Sequence, residues 1–268
     1  MTQRIANPRH FNQSVAILLV ALLCIAAIGS LQLPRLNQLK GRANNISSLN
    51  LKREIESEKI RLNLLRNFPS FGFNNLVADW TFINFAQYFG DDAARSQTGY
   101  SLSPEYFEVI LERDPYFLDA YSFLSGSTTL YAGMPGRTIA IMEKHLKSLS
   151  PKVPHGSYYI WRYKGTDELL FLGDSQAAKQ SFATAAEWAS HYSDDRSKQI
   201  AKISRQTAKF LERNPKSNSA QISAWVSVLD NAFDDNTRKL AISRIQALGG
   251  KISTSPDGQV NVQFPKKD

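Results

Sequence analysis

The chain contains one cysteine in 268 residues. A disulfide needs two, so Cys24 cannot staple the chain to itself, and a zinc site built on cysteines is excluded with it. Histidine is almost as scarce. His10, His145, His155 and His191 are the four, and none stands in an H-E-x-x-H pair or another metal-ligand spacing. Acids are missing from Met1 to Arg53, although Arg4, Arg9, Arg35, Lys40, Arg42, Lys52 and Arg53 lie there. The glycine-rich stretch Gly133-Met134-Pro135-Gly136 lacks the lysine of a phosphate-binding loop, and no G-x-S-x-G occurs. His191 with Asp194 and Asp195 reads as a helix end followed by an aspartate cap rather than a ligand set. These gaps leave no catalytic constellation, and the expectation is a non-enzyme with no cofactor and no metal.

Hydrophobic residues make up 43% of the chain and aromatics 11%, enough to offset chain entropy and argue against intrinsic disorder. The formal net charge of +8 is unevenly spread. Residues 1–69 hold ten basic and three acidic residues, whereas residues 70–150 hold five and nine. A nucleic-acid binder would carry its basic face on the folded part. Here the excess sits at the N-terminal end, where it suits anionic lipid headgroups, and nucleic acid is not an expected partner.

Ser14 to Leu33 reads SVAILLVALLCIAAIGSLQL and carries no charge. About 20 helical residues cross the roughly 30 Å hydrocarbon core of a bilayer. The rival is a cleaved signal peptide, with Arg4 and Arg9 before the apolar run and Ala27-Ile28-Gly29 as a cleavage site. The length of the run, and Gly29 where a cleavage site more usually ends in alanine, favour an uncleaved transmembrane helix. Positive charge flanks both sides, so the orientation count is nearly a tie. A short N-terminal tail before a single span favours a periplasmic or lumenal domain, and the lack of cysteine after the span suits an oxidising compartment.

The rest reads as helix. Residues 1–13 form a short basic tail, 14–33 the span and 34–69 a basic amphipathic stalk helix. Residues 70–248 form a helical domain, and 249–268 a β-hairpin and tail. Phe71–Gly90 is apolar on two faces, one with Phe73, Leu76, Val77, Trp80 and Ile83, the other with Phe82, Phe85 and Phe89. It is expected to be buried on both. Asp79 inside that run reads as a cap or a salt bridge to Arg95, with a perturbed buried carboxylate as the functional alternative. Ser103 is an N-cap candidate before Pro104. Helices over 103–114, 117–131, 138–149, 158–172, 176–191, 194–211, 221–233 and 236–248 follow, joined by short loops that favour antiparallel neighbours. Val260, Val262 and Phe264 alternate with polar residues after the turn signal Pro256-Asp257-Gly258, which predicts a hairpin.

Trp161, Gly165, Gly173-Asp174, Ala178, Phe182 and Ala185 resemble a tetratricopeptide repeat. In that pattern helix A of one unit nests against helix B through small and aromatic residues. A second unit runs from Tyr121 and Leu124 through Gly133 to Ile141, Met142, Glu143 and Leu146. His145 and Ala185 occupy equivalent places 40 apart rather than 34, so the repeats resemble diverged members. Gly72-Phe73-Asn74-Asn75-Leu76, Ala78-Asp79-Trp80 and Gln87-Tyr88-Phe89-Gly90-Asp91 further resemble a group of membrane-anchored repeat proteins of cyanobacteria. That likeness implies a thylakoid or plasma membrane and a role in assembling photosynthetic complexes. The fold expected is all-α: a TPR-like α-solenoid behind one transmembrane helix. Its function would be a scaffold that docks another protein, with Tyr121, Tyr158, Tyr159, Trp161 and Arg162 as groove residues. Two alternatives remain open. One is a membrane-attached hydrolase acting on lipid or cell wall, with Asp79, His145 or His191 in a deep pocket. The other is a purely structural spacer.

Overall fold

A computed structural model describes residues 19–30, 32–33, 48–232, 235–254 and 260–265. The chain falls into two units, residues 1–53 and 54–268. In the first, α1 (residues 19–30) presents Leu19, Val20, Leu22, Leu23, Ile25 and Ile28 on its outside. Among the described residues no helix is long and apolar enough to cross a membrane. The expected span of 14–33 lies partly outside them.

The second unit is mostly helical with one small sheet. Its helices are α2 (Ser48–Asn67, entering from the first unit), α3 (Asn74–Gly90), α4 (Asp92–Thr98) and α5 (Ser103–Arg113). There follow α6 (Leu118–Leu124), α7 (Pro135–Leu146), α8 (Tyr158–Asp167) and α9 (Ser175–Ala189). The series closes with α10 (Asp195–Arg213), α11 (Asn218–Asp230) and α12 (Asp235–Ala247). Two of these continue as π-helical turns, α6 into Ser125–Tyr131 and α8 into Glu168–Leu172. The strands β1 (Lys251–Thr254) and β2 (Val260–Gln263) pair antiparallel, Ile252 opposite Val262.

The punctuation has local causes. Asp91, Asp174, Asp194 and Ser217 each accept a backbone N–H in the first turn of the helix that follows. Each such cap contributes about 1 kcal/mol. Gly173 takes a left-handed conformation at φ 69°, which ends one helix so that Asp174 can start the next. Ser103 is not a cap: it lies inside the first turn of α5, after Leu102, whose N–H donates to the Tyr88 hydroxyl. Short α4 went unpredicted, because seven residues give too little periodicity to register.

The largest core cluster joins Leu62 of α2 and Phe85 of α3 to Tyr106, Phe107 and Ile110 of α5, Tyr121 and Leu124 of α6, and Met142 of α7. Leu62 is buried there, and Glu58 accepts hydrogen bonds from Tyr106 and Arg61. The compact unit therefore starts at Glu54, inside the stretch expected to be a stalk. A correction concerns α3. Phe85 is buried, but Phe73, Leu76, Trp80 and Ile83 point to solvent. Two apolar faces require two partners, and this unit supplies only one.

Later helices pack on small residues. Gly165 of α8 sits against Phe182 of α9; a methyl group there would meet the Phe182 ring at 3.2 Å. Ala178, Ala185 and Ala189 of α9 and Ala201 and Ala208 of α10 are likewise buried. Close approach of backbones is what such residues permit.

Candidate functional site

A groove of about 940 Å³ runs along one side of this unit. Its wall is built from α6, α8, α10 and α11, with Val262 of β2 and Phe264 beside them. On α10 the lining residues Arg196, Gln199, Ile203, Gln206 and Phe210 recur at helical spacing. The buried row of the same helix is Ala201, Ser204 and Ala208. Small residues pack inward, and long ones face the groove.

Arg162 lies in the groove wall, only 8% exposed. Its Nη1 donates to the Ser204 hydroxyl at 3.1 Å. Among the described residues no carboxylate comes within ion-pair distance of it. Burial pushes its guanidinium below the ordinary arginine range, while Tyr159, Tyr163 and Asp230 pull the other way. Asp230, at the end of α11 and also in the groove lining, has its carboxyl raised by partial desolvation, against the attraction of Arg162. Arg196 stands beside Tyr159, with Nε donating to the tyrosine hydroxyl at 2.7 Å. It too has no carboxylate within ion-pair distance among the described residues. A buried cation without a counter-ion is costly, and a visiting anion lowers that cost.

The five residues anticipated from sequence separate. Tyr158, Tyr159 and Arg162 line the groove. Tyr158 does so from a buried position, its hydroxyl within 3.0 Å of that of Ser197. Tyr121 does not line it; the ring is fully buried and its hydroxyl donates to the Pro115 carbonyl at 2.9 Å. Trp161 turns to the other side of α8 and packs edge-on against Trp188 at 5.7 Å. Each helical residue turns the chain by about 100°, so a groove can take Tyr158, Tyr159 and Arg162 while Trp161 falls on the far side of α8. Sequence reasoning missed Ile203, Gln206, Phe210 and Asp230. The alternation of small and long side chains along α10 was the signal that could have found the first three.

Asp79, His145 and His191 do not meet. Asp79 is exposed on α3, and Arg95, its expected partner, instead donates to the Gly99 carbonyl and lies 3.9 Å from the Tyr88 ring. His145 is buried in α7 with an unpaired Nε2, and burial lowers its pKa to about 4. His191 borders a separate groove of about 650 Å³ between α9 and α10, lined by Lys179, Glu187, Arg205 and Lys209. No group of three His, Cys, Asp or Glu side chains able to hold a metal occurs among the described residues.

A buried polar cluster lies nearer the π-helical turns. Asp167 accepts hydrogen bonds from Ser125 at 2.9 Å and Thr129 at 3.0 Å. Burial raises its pKa to about 7 despite these bonds. Its neighbour Glu168 is paired with Lys164 and accepts from Ser181.

The loop between α2 and α3 forms a second exposed feature. Phe71 takes φ +50° and is 79% exposed. A left-handed non-glycine residue costs about 1–2 kcal/mol. Arg113 braces the two ends of this loop: Nη2 donates to the carbonyls of Leu65 and Arg66 in the last turn of α2 and of Phe68 just after it, and Nη1 to Asn74 Oδ1 at the start of α3.

No family model, curated protein or solved structure matches the chain.

Proposed function

We propose that the protein is a membrane-tethered scaffold whose TPR-like helical array receives an acidic segment of a protein partner. The observation that carries this reading is Arg162: a buried guanidinium in the wall of a long groove, with a neutral hydroxyl as its hydrogen-bonding partner. Tyr159 and Arg196 add aromatic surface and a second cation next to it. Aromatic and arginine side chains dominate binding energy at protein interfaces. The repeat reading draws support from Gly165 against Phe182 and from the Gly173-Asp174 turn, where small contacts and a sharp reversal join one helix pair.

The tether is the uncharged stretch 14–33, cleaved in the rival reading and retained in ours. Its flank, free of acids through Arg53, would rest against anionic headgroups. Holding the domain at a bilayer raises its local concentration near membrane partners, so modest contacts suffice. A thylakoid or plasma membrane complex is the partner we expect, with the domain on the periplasmic or lumenal side.

The test is photocrosslinking in intact membranes. A benzophenone amino acid replaces Tyr159 in the full chain, and a control chain carries it at Lys202, exposed and outside the groove lining. A discrete protein adduct at position 159, missing at 202, is the expected result. Equal labelling at both positions, or labelling of lipid alone, would overturn the groove assignment.

A further inference from the structure

We infer that the α2–α3 loop and the outer face of α3 form a bilayer-docking surface that lays the helical unit against the lipid interface. This rests on the tether of the preceding section but concerns a surface that the groove does not use.

Phe68, Phe71, Phe73, Leu76, Trp80 and Ile83 are each more than half exposed, and they follow one another from the loop tip along one helix face. Scattered exposed apolar residues are ordinary; a continuous set of six marks a docking site. α3 carries one charge in 17 residues, Asp79, whereas a helix face that stays in water normally carries several. The stripe is rich in phenylalanine and includes a tryptophan, a residue that favours the boundary between headgroups and acyl chains. The loop is not slack. Arg113 ties the last-turn α2 carbonyls of Leu65 and Arg66 to the Phe68 carbonyl and to Asn74 at the start of α3, which pins both ends of the loop, and between them Phe71 stands exposed in an unfavourable backbone conformation. A rigid loop that displays an apolar ring at a conformational cost suits insertion into an apolar medium.

A bilayer, rather than a second copy or another protein, is the occupant we assign, because the chain itself brings one close. The uncharged run ends at Leu33, and the compact unit begins at Glu54. That connection reaches at most about 75 Å when fully extended. A retained tether would confine the surface within that reach of the bilayer, and such confinement turns weak interfacial affinity into steady contact.

The experiment uses the full chain reconstituted into phosphatidylcholine–phosphatidylglycerol vesicles whose acyl chains carry bromine, a contact quencher of tryptophan. Trp80 is 58% exposed, whereas Trp225 is buried and Trp161 and Trp188 are half-buried. The difference in emission between wild type and Trp80→Phe isolates the Trp80 signal while keeping the site aromatic. That signal should be blue-shifted and at least halved by bromolipid. Leu76→Glu combined with Ile83→Glu, both on the outer face, should restore it to the unquenched level. An unquenched Trp80 in protein that floats with the vesicles overturns the proposal. A Trp80 signal that is blue-shifted but unquenched in vesicles, and loses the blue shift in nanodiscs holding a single chain, assigns the stripe to a second copy and overturns it equally. Alkaline carbonate extraction separates the two readings. Protein that resists extraction but shows no quenching keeps the tether and loses the docking surface. Protein that is extracted but was quenched beforehand loses the tether and keeps the docking surface. Failure to float overturns both.

Discussion

Arg196 and Tyr159 form a unit at the rim of the groove: the arginine Nε donates to the tyrosine hydroxyl at 2.7 Å, and its guanidinium lies 5.5 Å from the centre of the same ring. The same tyrosine also interacts electrostatically with the buried Arg162, favouring the charged form of that arginine.

The first prediction follows from that triad. Arg162→Met removes a desolvated charge and leaves a chain of similar length. Charge-assisted hydrogen bonds contribute about 1.5–3 kcal/mol, so capture of partner by the position-159 crosslinker should fall about tenfold or more. Folding should change little, because replacing a buried charge by an apolar side chain is often neutral. Crosslink yield and the thermal midpoint, measured on the same variant, check both halves.

A second prediction concerns pH. Asp167 titrates near 7 in the folded chain and near 3.8 when unfolded. A raised acid pKa means that the folded state holds the proton longer. The contribution of this group is thus most favourable below pH 4, declines as pH rises to about 7, and is constant above that. The whole span is on the order of 4 kcal/mol. Asp167→Asn cannot titrate, so its stability relative to wild type should climb from pH 4 to pH 7 and then level off. Urea unfolding across that range supplies the measurement. A flat difference would show that Ser125 and Thr129 hold the carboxylate ionised.

Much of the fold was legible in the sequence. Pro104, the Gly173-Asp174 turn and Gly249-Gly250 marked boundaries close to those found, and Val260-Asn261-Val262 correctly announced a strand. The reason is that caps, glycines and period-two alternation are local, and local chemistry decides them. Burial is not local. Trp80 and Phe85 look equally destined for a core, yet one is exposed and the other sealed, because only the facing surface of α5 decides between them. Tyr121 and Tyr159 pose the same difficulty at the groove. Both are tyrosines on helices, and only the packing of neighbouring helices separates a core ring from a lining one.

The third prediction addresses close packing. Gly165 leaves a gap at α9 that the Phe182 ring and the Ser181 side chain fill, each 3.2 Å from where a methyl would stand. Gly165→Val should destabilise by about 1–3 kcal/mol through overpacking. Adding Phe182→Ala in the same chain should recover part of the packing strain, while losing the buried ring. A double-mutant cycle in urea measures this coupling.

The last prediction isolates the cost of the exposed loop. Phe71→Asn places a residue that tolerates positive φ at the strained site, and the variant should be more stable by about 1 kcal/mol. Its thermal midpoint in detergent should rise, and its bromolipid quenching should fall. A lower midpoint would mean that the Phe68–Phe71 edge contact, with ring centres 6.4 Å apart, outweighs the strain.

The groove is completed by the hairpin that follows the helices. Val262 and Phe264 belong to its lining, so they emerge from the ribosome only after every helix that faces them. Until that hairpin has folded back, the recess lacks part of its border. A nascent polypeptide should therefore be slow to recruit its guest, and a product truncated before residue 260 should be a poor host even with all its helices in place.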